Sequence, residues 1–383
     1  MHDAVVVGAG PAGTVTASLL AKDHEVLVLE EHESSGRPQQ CAGLVTKDVI
    51  DRSGVSPDVL SEINGANVHF PNGGVFEVRS KRTIAYLIDR EDLDVKLAQK
   101  AMDAGADIRY STSYKGHEVN GHSVKVRTSS ENVEAKAIIG ADGHTSLVSN
   151  SLGNNGPKEY IYGIQVDVRS RYEHEGIMDL RLGSEYAPGF FSWEIPFDDS
   201  IRIGLCIKGN TGTTPNDHLK KLLKMKGIDD DRITAKYSGK IPLGGRPRSF
   251  GDRTLLIGDS AGQVKPISGG GLYPILRSAS VLNDVLCDAI SKDDLSPSSL
   301  SRYEKGWKDE IGKELSKGYR IRKMFLKLED KDLDRVHEII NGEDARKILD
   351  DIDLDHPSSV AWPMLRNPRI GIRFLPILMK AIL

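Results

Sequence analysis

Residues 5–30 read VVVGAGPAGTVTASLLAKDHEVLVLE: an apolar run, a Gly-x-Gly-x-x-Gly turn, an amphipathic stretch, and a second apolar run closing on an acidic residue. That order is a strand, a glycine turn, a helix and a second strand, the unit that binds dinucleotides. Gly8 lets the chain turn out of the strand, Gly10 clears the backbone for a pyrophosphate, and Gly13 allows close packing of helix on sheet. The helix, read from the amphipathic stretch Thr14–Ala21, turns its N-terminus toward the phosphates. Glu30 stands where a carboxylate accepts hydrogen bonds from both ribose hydroxyls and repels a 2′-phosphate. The glycines alone leave FAD and NAD equally open.

Composition narrows the class. A chain of 383 residues with 39% hydrophobic content has room for two domains and a full core. The net charge of −4, without a long Lys/Arg block, argues against nucleic acid as a partner. Cys41, Cys206 and Cys287 are too few and too scattered for a disulfide framework or a zinc site, and no metal is expected. The first strand starts within the first few residues and no run of eighteen apolar residues follows, so a cytoplasmic protein without a membrane span is expected. The end of the chain, VAWPMLRNPRIGIRFLPILMKAIL from Val360 to Leu383, carries only basic charges: Arg366, Arg369, Arg373 and Lys380. Such a segment suits the inner membrane surface, with its cations near headgroups, and suits equally an arm packed on the protein's own body or on a partner subunit.

Further along, the loop CAGL (Cys41–Leu44) follows the second strand, and IDREDLDVKLAQKAMDAGADI (Ile88–Ile108) has helical spacing up to Ala104-Gly105-Ala106. Short strands are expected near His117–Val119 and Val124–Arg127. A buried strand then ends in Gly140-Ala141-Asp142-Gly143, with Ser146 three residues on. Finally TLLIGDSAGQVKPISGGGL spans Thr254–Leu272.

These motifs, in this order, resemble the FAD-binding skeleton of the aromatic-hydroxylase-like flavoproteins. The resemblance implies that Asp259 holds the ribityl chain and that the helix after Gly269–Gly271 aims its N-terminus at the flavin ring. Backbone N–H groups at a helix start stabilise negative charge on a reduced flavin. Asp142 is read as bracing its turn from behind the cofactor, with direct contact as the alternative.

Within that group one branch fits. PGFFSWEIP (Pro188–Pro196) resembles the Pro-x-x-Tyr-x-Trp-x-Phe-Pro signature of the geranylgeranyl reductases, where it lines the prenyl tunnel. Phe191 replaces the tyrosine and Ile195 the phenylalanine, so no tyrosine hydroxyl is available as a proton donor here. The CAGL loop, Arg90 opening a helix, and SLSRYEKGWKDEIGKELSKGYRIRKMF (Ser299–Phe325) fit the same family. The resemblance assigns Gly8, Gly10, Ala12, Gly13, Glu30, Cys41, Ala42, Gly43, Arg90, Val119, Asp259, Gly270, Gly271 and Leu272 to the cofactor. It assigns Phe190, Phe191 and Trp193 to the substrate. The aromatics also fit a packed sheet face, and Cys41 fits a small buried residue.

The expected architecture is α/β: a Rossmann-type FAD-binding domain (1–60, 90–155 and 245–300), an inserted antiparallel-sheet substrate domain (61–89 and 156–244), and a mostly helical C-terminal region (301–383). Strands are expected at Asn67–Arg79, Tyr162–Val168, Ile177–Leu182, Phe190–Ile195 and Ile201–Ile207. No protein side chain is singled out as catalytic, so the chemistry falls to the flavin. The resemblance implies hydride transfer from reduced FAD to isolated double bonds of geranylgeranyl chains, on the digeranylgeranyl glycerophospholipids of archaeal membranes, with ferredoxin or NAD(P)H as electron donor. The alternatives are an FAD monooxygenase of aromatic or prenylated compounds and a flavin electron-transfer protein.

Overall fold

The computed structural model describes residues 1–170, 175–349 and 353–382. Leu383, the last residue of the basic tail, lies outside the described residues. The described residues build three sheets. The first forms around His2–Val7, whose neighbours are Val26–Leu29 on one side and Asn132–Gly140 on the other, both parallel to it. Asp107–Arg109 and Thr254–Leu256 extend the parallel core outward. A meander of Tyr114–Asn120 and Ser123–Thr128 runs antiparallel onto Asn132–Gly140, so this sheet is mixed.

Period-two alternation explains how both faces of the first strand are buried. Ala4 and Val6 face a helical layer made by Pro11–Leu20, Arg90–Asp103, Leu272–Ser291 and Pro297–Trp307. Val5 and Val7 face the meander, with Tyr114, Val124 and Val126. The helix Arg90–Asp103 starts because the Asp89 carboxylate accepts from the amides of Glu91 and Asp92.

Two expected domain boundaries cut through elements. The helix Pro297–Trp307 spans the boundary set at residue 301. Its Leu300, Tyr303 and Trp307 belong to the first sheet's core; Tyr303 Oη donates to Leu256 O at 2.8 Å and Trp307 Nε1 to Ser249 Oγ at 2.9 Å. The boundary at 60/61 falls inside Val59–Ile63, which pairs with Ala85–Ile88; that strand also pairs with Leu44–Val45 in a small third sheet. Charged surface positions in both segments masked the apolar stripes that tie them inward.

The second large sheet runs 233–243, 159–169, 200–208, 192–197, 177–181, 65–69, 75–79. Its pairs are antiparallel except Gly65–His69 with Ile177–Arg181. The expected strand Asn67–Arg79 is a hairpin, Gly65–His69 and Val75–Arg79. The expected strand Phe190–Ile195 is Ser192–Phe197, because the Phe190 amide bonds back to Ala187 O in a turn.

One face of this sheet (Ile164, Val166, Val168, Ile201, Ile203, Leu205) packs under the helix Pro215–Met225. The alternation therefore puts Ile161, Gly163, Gln165 and Asp167, with their register partners Arg202, Gly204 and Cys206, on the other face, which roofs the first domain. Behind it stand the helices Lys313–Phe325, Asp330–Ile340, Glu343–Leu349, Ala361–Arg366 and Pro368–Ile382. Among the described residues no helix is long and apolar enough to cross a membrane.

Candidate flavin site

The glycine turn is held by contacts that only glycine permits. A Cβ on Gly13 would sit 1.9 Å from Gly8 O, and Gly8 itself adopts φ +102° against Ala141. Gly10 behaves differently, since nothing lies within 4 Å of its Cβ position. It faces open space. Ala12 touches the second motif directly: a Cβ on Gly258 would approach Ala12 Cβ to 2.8 Å.

The helices Pro11–Leu20 and Leu272–Ser291 begin at Gly10 and Gly271 with no side-chain cap. Elsewhere Thr46, Asp89, Ser146, Thr214 and Ser296 each cap a helix. Uncapped starts leave amide donors free for an anionic ligand. Glu30 is buried and already engaged: one oxygen accepts from Ala9 N at 2.8 Å, the other from His32 N at 2.9 Å and meets His32 Nδ1 at 2.6 Å. A carboxylate has roughly four lone-pair sites. One such site remains open, and Glu30 fixes the glycine turn through the other three.

Asp259 is the opposite case. It is enclosed by protein yet keeps some open surface, and among the described residues no donor bonds its carboxylate. Burial pushes its pKa up to about 6, against the pull of Arg246 and Arg90. Both arginines carry a buried Nε without a partner, while Arg90 Nη2 pairs with Asp94 at 2.9 Å and Arg246 Nη2 donates to His144 O at 2.8 Å. A Cβ on Gly271 would lie 3.5 Å from Asp259 Oδ1, which brings the carboxylate to the helix start at Gly270, Gly271 and Leu272. An unpartnered carboxylate, orphaned guanidinium nitrogens and two free helix starts suit a ligand with sugar hydroxyls and phosphates. FAD fits these residues.

The roof grips the CAGL loop. Arg202 Nη1 donates to Ala42 O at 2.7 Å, and Gln165 Nε2 to Cys41 O at 2.9 Å. Gly43 adopts φ +84°, with its O accepting from Ile88 N at 2.9 Å. The Cys41 side chain stands beside the Arg90 guanidinium, while burial pushes the Cys206 thiol up to about 12. Cys206 is thus a neutral packing residue.

The aromatic residues gather at the same place. Phe190 and Phe191 stack with centroids 4.4 Å apart, and Phe191 meets Trp193 edge-on at 6.2 Å. Gly204 leaves the gap in the roof that the Trp193 ring covers, 2.5 Å from a Cβ built there. A Cβ on Gly269 would be 3.7 Å from Phe190 Cζ, so the stack leans on the glycine run. Phe190 is fully buried, whereas Phe191 and Trp193 stay partly open and Trp193 Nε1 has no partner. Arg322 lies over the Phe190 ring at 5.4 Å and donates to Gly189 O.

Asp142 braces its turn, accepting from Ser146 Oγ at 2.5 Å and Val148 N at 3.1 Å. Val119 sits in the meander, and its side chain joins the apolar layer with Val5 and Val7. Gln165, Asp167, Arg202, Arg246 and Lys265 escaped the sequence reading. The one available signal was the alternation of strand 159–169, which sets polar residues among apolar ones on a buried strand.

A Rossmann-type layer with a second sheet closing over an uncapped helix start is the architecture of FAD-binding flavoproteins. The model of the lycopene cyclase protein family matches residues 3–341. A digeranylgeranylglycerophospholipid reductase of Methanothrix thermoacetophila is 31% identical over 90% of this chain and 93% of its own. A solved structure described as geranylgeranyl bacteriochlorophyll reductase-like, from Thermoplasma acidophilum, superposes with a TM-score of 0.86 at 21% identity, covering 98% of this chain and 99% of its own. The halogenase PltM, solved with FAD, shares the fold more distantly, with a TM-score of 0.68 at 18% identity over 97% of this chain and 87% of its own. The chain belongs to the lycopene cyclase protein family and, by its relatives, to the geranylgeranyl reductase family of FAD-dependent oxidoreductases.

Proposed function

We propose that the protein saturates isolated double bonds of geranylgeranyl chains carried on digeranylgeranyl glycerophospholipids. The observation that carries this reading is the Phe190–Phe191–Trp193 cluster, which stands against the glycine run at the start of the helix Leu272–Ser291, with Phe191 and Trp193 partly open. Bound FAD supplies the reducing equivalents, which arrive from ferredoxin or NAD(P)H. Glu30, Asp259, Arg90, Arg246 and the uncapped amides at Gly10 and Gly271 hold the cofactor. The CAGL loop, pinned by Arg202 and Gln165, covers it. The aromatic lining orients the chain and excludes water, which an unactivated alkene requires for close alignment.

Lipid access comes from the tail. Met364, Ile370 and Ile377 of the last two helices pack on Ile339 and Ala345, while Trp362, Leu365, Ile372, Leu375 and Met379 remain exposed. Arg366 and Arg369 flank this stripe in solvent; Lys380 is tied to Asp332 at 2.5 Å and Arg373 donates to Glu338 O. This stripe rests on the membrane surface.

The test is anaerobic incubation of FAD-loaded protein with digeranylgeranyl phospholipid and a chemical reductant. A mass gain of H2 per double bond is expected. Oxygen-dependent hydroxylation, with no gain under anaerobic conditions, would replace this reading with the monooxygenase one.

A further inference from the structure

Lys265 lies in the loop that ends at the flavin-facing glycines. Its backbone N–H donates to Gly270 O at 3.0 Å and its C=O accepts from Gly269 N at 2.8 Å, so it forms the other half of the same loop. Its side chain folds along that loop, with Cε 3.0 Å and Nζ 3.6 Å from a Cβ built on Gly270. The residue is buried.

Its counter-charge comes from the far end of the chain. Lys265 Nζ donates to Asp355 Oδ1 at 2.7 Å and to Leu354 O at 3.0 Å, while Thr46 Oγ1 donates to Asp355 Oδ2 at 2.5 Å. The segment 353–358 is fastened further by His356 Nε2 to Tyr273 Oη at 3.0 Å and by Ser358 N to Glu314 at 3.0 Å. Leu354 packs with Leu44, Ile195 and Trp193. A strap thus joins the glycine run, the CAGL end and the aromatic lining.

We propose that Lys265 is a positioning residue that places a cation at the edge of the bound flavin, and that Asp355 on the strap is the counter-charge that sets how much of it the flavin feels. The inference rests on the flavin lying against Gly269–Gly271. A reduced flavin carries more negative charge than an oxidised one, so a buried cation beside it favours reduction and a buried anion opposes it. Inside protein such charges act over several ångströms with little screening. Other charged groups near this helix start include Asp259 with Arg90 and Arg246 beside it, and Arg277, Asp48 and Arg52 around Tyr273.

The experiment measures the two-electron midpoint potential of the FAD-loaded protein by anaerobic dye equilibration. Asp355→Asn leaves the ammonium uncompensated, so the potential rises. Lys265→Met leaves the carboxylate uncompensated, so it falls, and Lys265→Arg stays near wild type. Each shift should correspond to about tenfold in the ratio of affinities for reduced and oxidised flavin, about 30 mV for a two-electron couple. Shifts of opposite sign support the proposal; unchanged potentials, or shifts of one sign, overturn it. If Lys265→Met fails to hold FAD, the direction for Asp355→Asn decides alone. Wild-type protein that binds no FAD would instead overturn the assignment of the glycine run.

Discussion

Arg202 and Asp167 are register partners on neighbouring strands of the roof and meet through two hydrogen bonds, Nε to Oδ1 at 2.8 Å and Nη2 to Oδ2 at 2.9 Å. The remaining Nη1 holds Ala42 O. One guanidinium therefore joins the second large sheet to the CAGL loop. Its neighbours Phe197 and Tyr237 stack their rings beside it at 5.4 and 5.8 Å.

Arg202→Met should leave the Asp167 carboxylate buried and unpaired, with a loss of about 3–5 kcal/mol. FAD should also dissociate faster as the CAGL loop comes free. Urea melts and flavin-release rates measure the two effects. Retention of FAD at the wild-type rate in a destabilised variant would show that the loop holds itself.

Asp259 gives a pH signature in the protein freed of FAD. Its folded-state pKa, about 6, lies above the ordinary carboxylate value of 3.8. Below the lower value both states are protonated; as pH rises from 3.8 through 6, the folded state progressively loses the advantage of binding its proton. Asp259→Asn should therefore stabilise cofactor-free protein at pH 7 by something on the order of 2–3 kcal/mol, and not at pH 3.5. It should also weaken FAD retention at pH 7. No stabilisation at neutral pH would mean that the ionised carboxylate is well solvated.

Trp193→Ala should lower prenyl reduction severely while FAD stays bound. Its ring is partly open and its Nε1 unpaired, so the expected destabilisation is no more than about 3 kcal/mol. Early melting with loss of flavin, and no selective loss of turnover, would make the ring a packing element.

For the tail, Ile372→Asp with Leu375→Asp changes only exposed positions. Co-sedimentation with anionic liposomes should drop at least tenfold with the melting temperature unchanged, since two apolar side chains contribute roughly 1.5–3 kcal/mol each on full insertion. Ile370→Asp is the contrasting variant, buried against Ile339 and Met364, and should unfold the helical region. Undiminished liposome binding by the double variant would place the contact on another surface.

The glycine turn, the central strands and Asp259 were legible because their signals are local: a fixed glycine spacing, a run of valines, an acid after an apolar strand. The roof face was not. Gln165, Asp167 and Arg202 read as ordinary polar positions of alternating strands, and only pairing across the sheet turns them toward Cys41 and Ala42. The Lys265–Asp355 pair spans 90 positions, and a buried ion pair at such separation leaves no periodic trace. The tail was half legible. Its composition announced a basic apolar segment, but that it forms two helices and which side packs depend on Ile339 and Ala345 in a different segment.

The strand Asn132–Gly140 lies between His2–Val7 and Thr254–Leu256, with Gly140 pairing Val7 on one edge and Leu256 on the other. Ser123–Thr128 covers the Asn132–Ala135 end of the second edge early, but during synthesis its Ile138–Gly140 end must wait for more than a hundred further residues before a partner emerges. Such distant parallel pairing is slow, and an open apolar edge invites association between chains. The flavin-side half of the cofactor slot, with Asp259 and Gly269–Gly271, comes later still. A nascent chain therefore has nowhere to keep FAD until Gly269–Gly271 have emerged, which places loading in the last third of synthesis or later. Products truncated before Thr254 should meet proteases or chaperones and not accumulate as partially active enzyme.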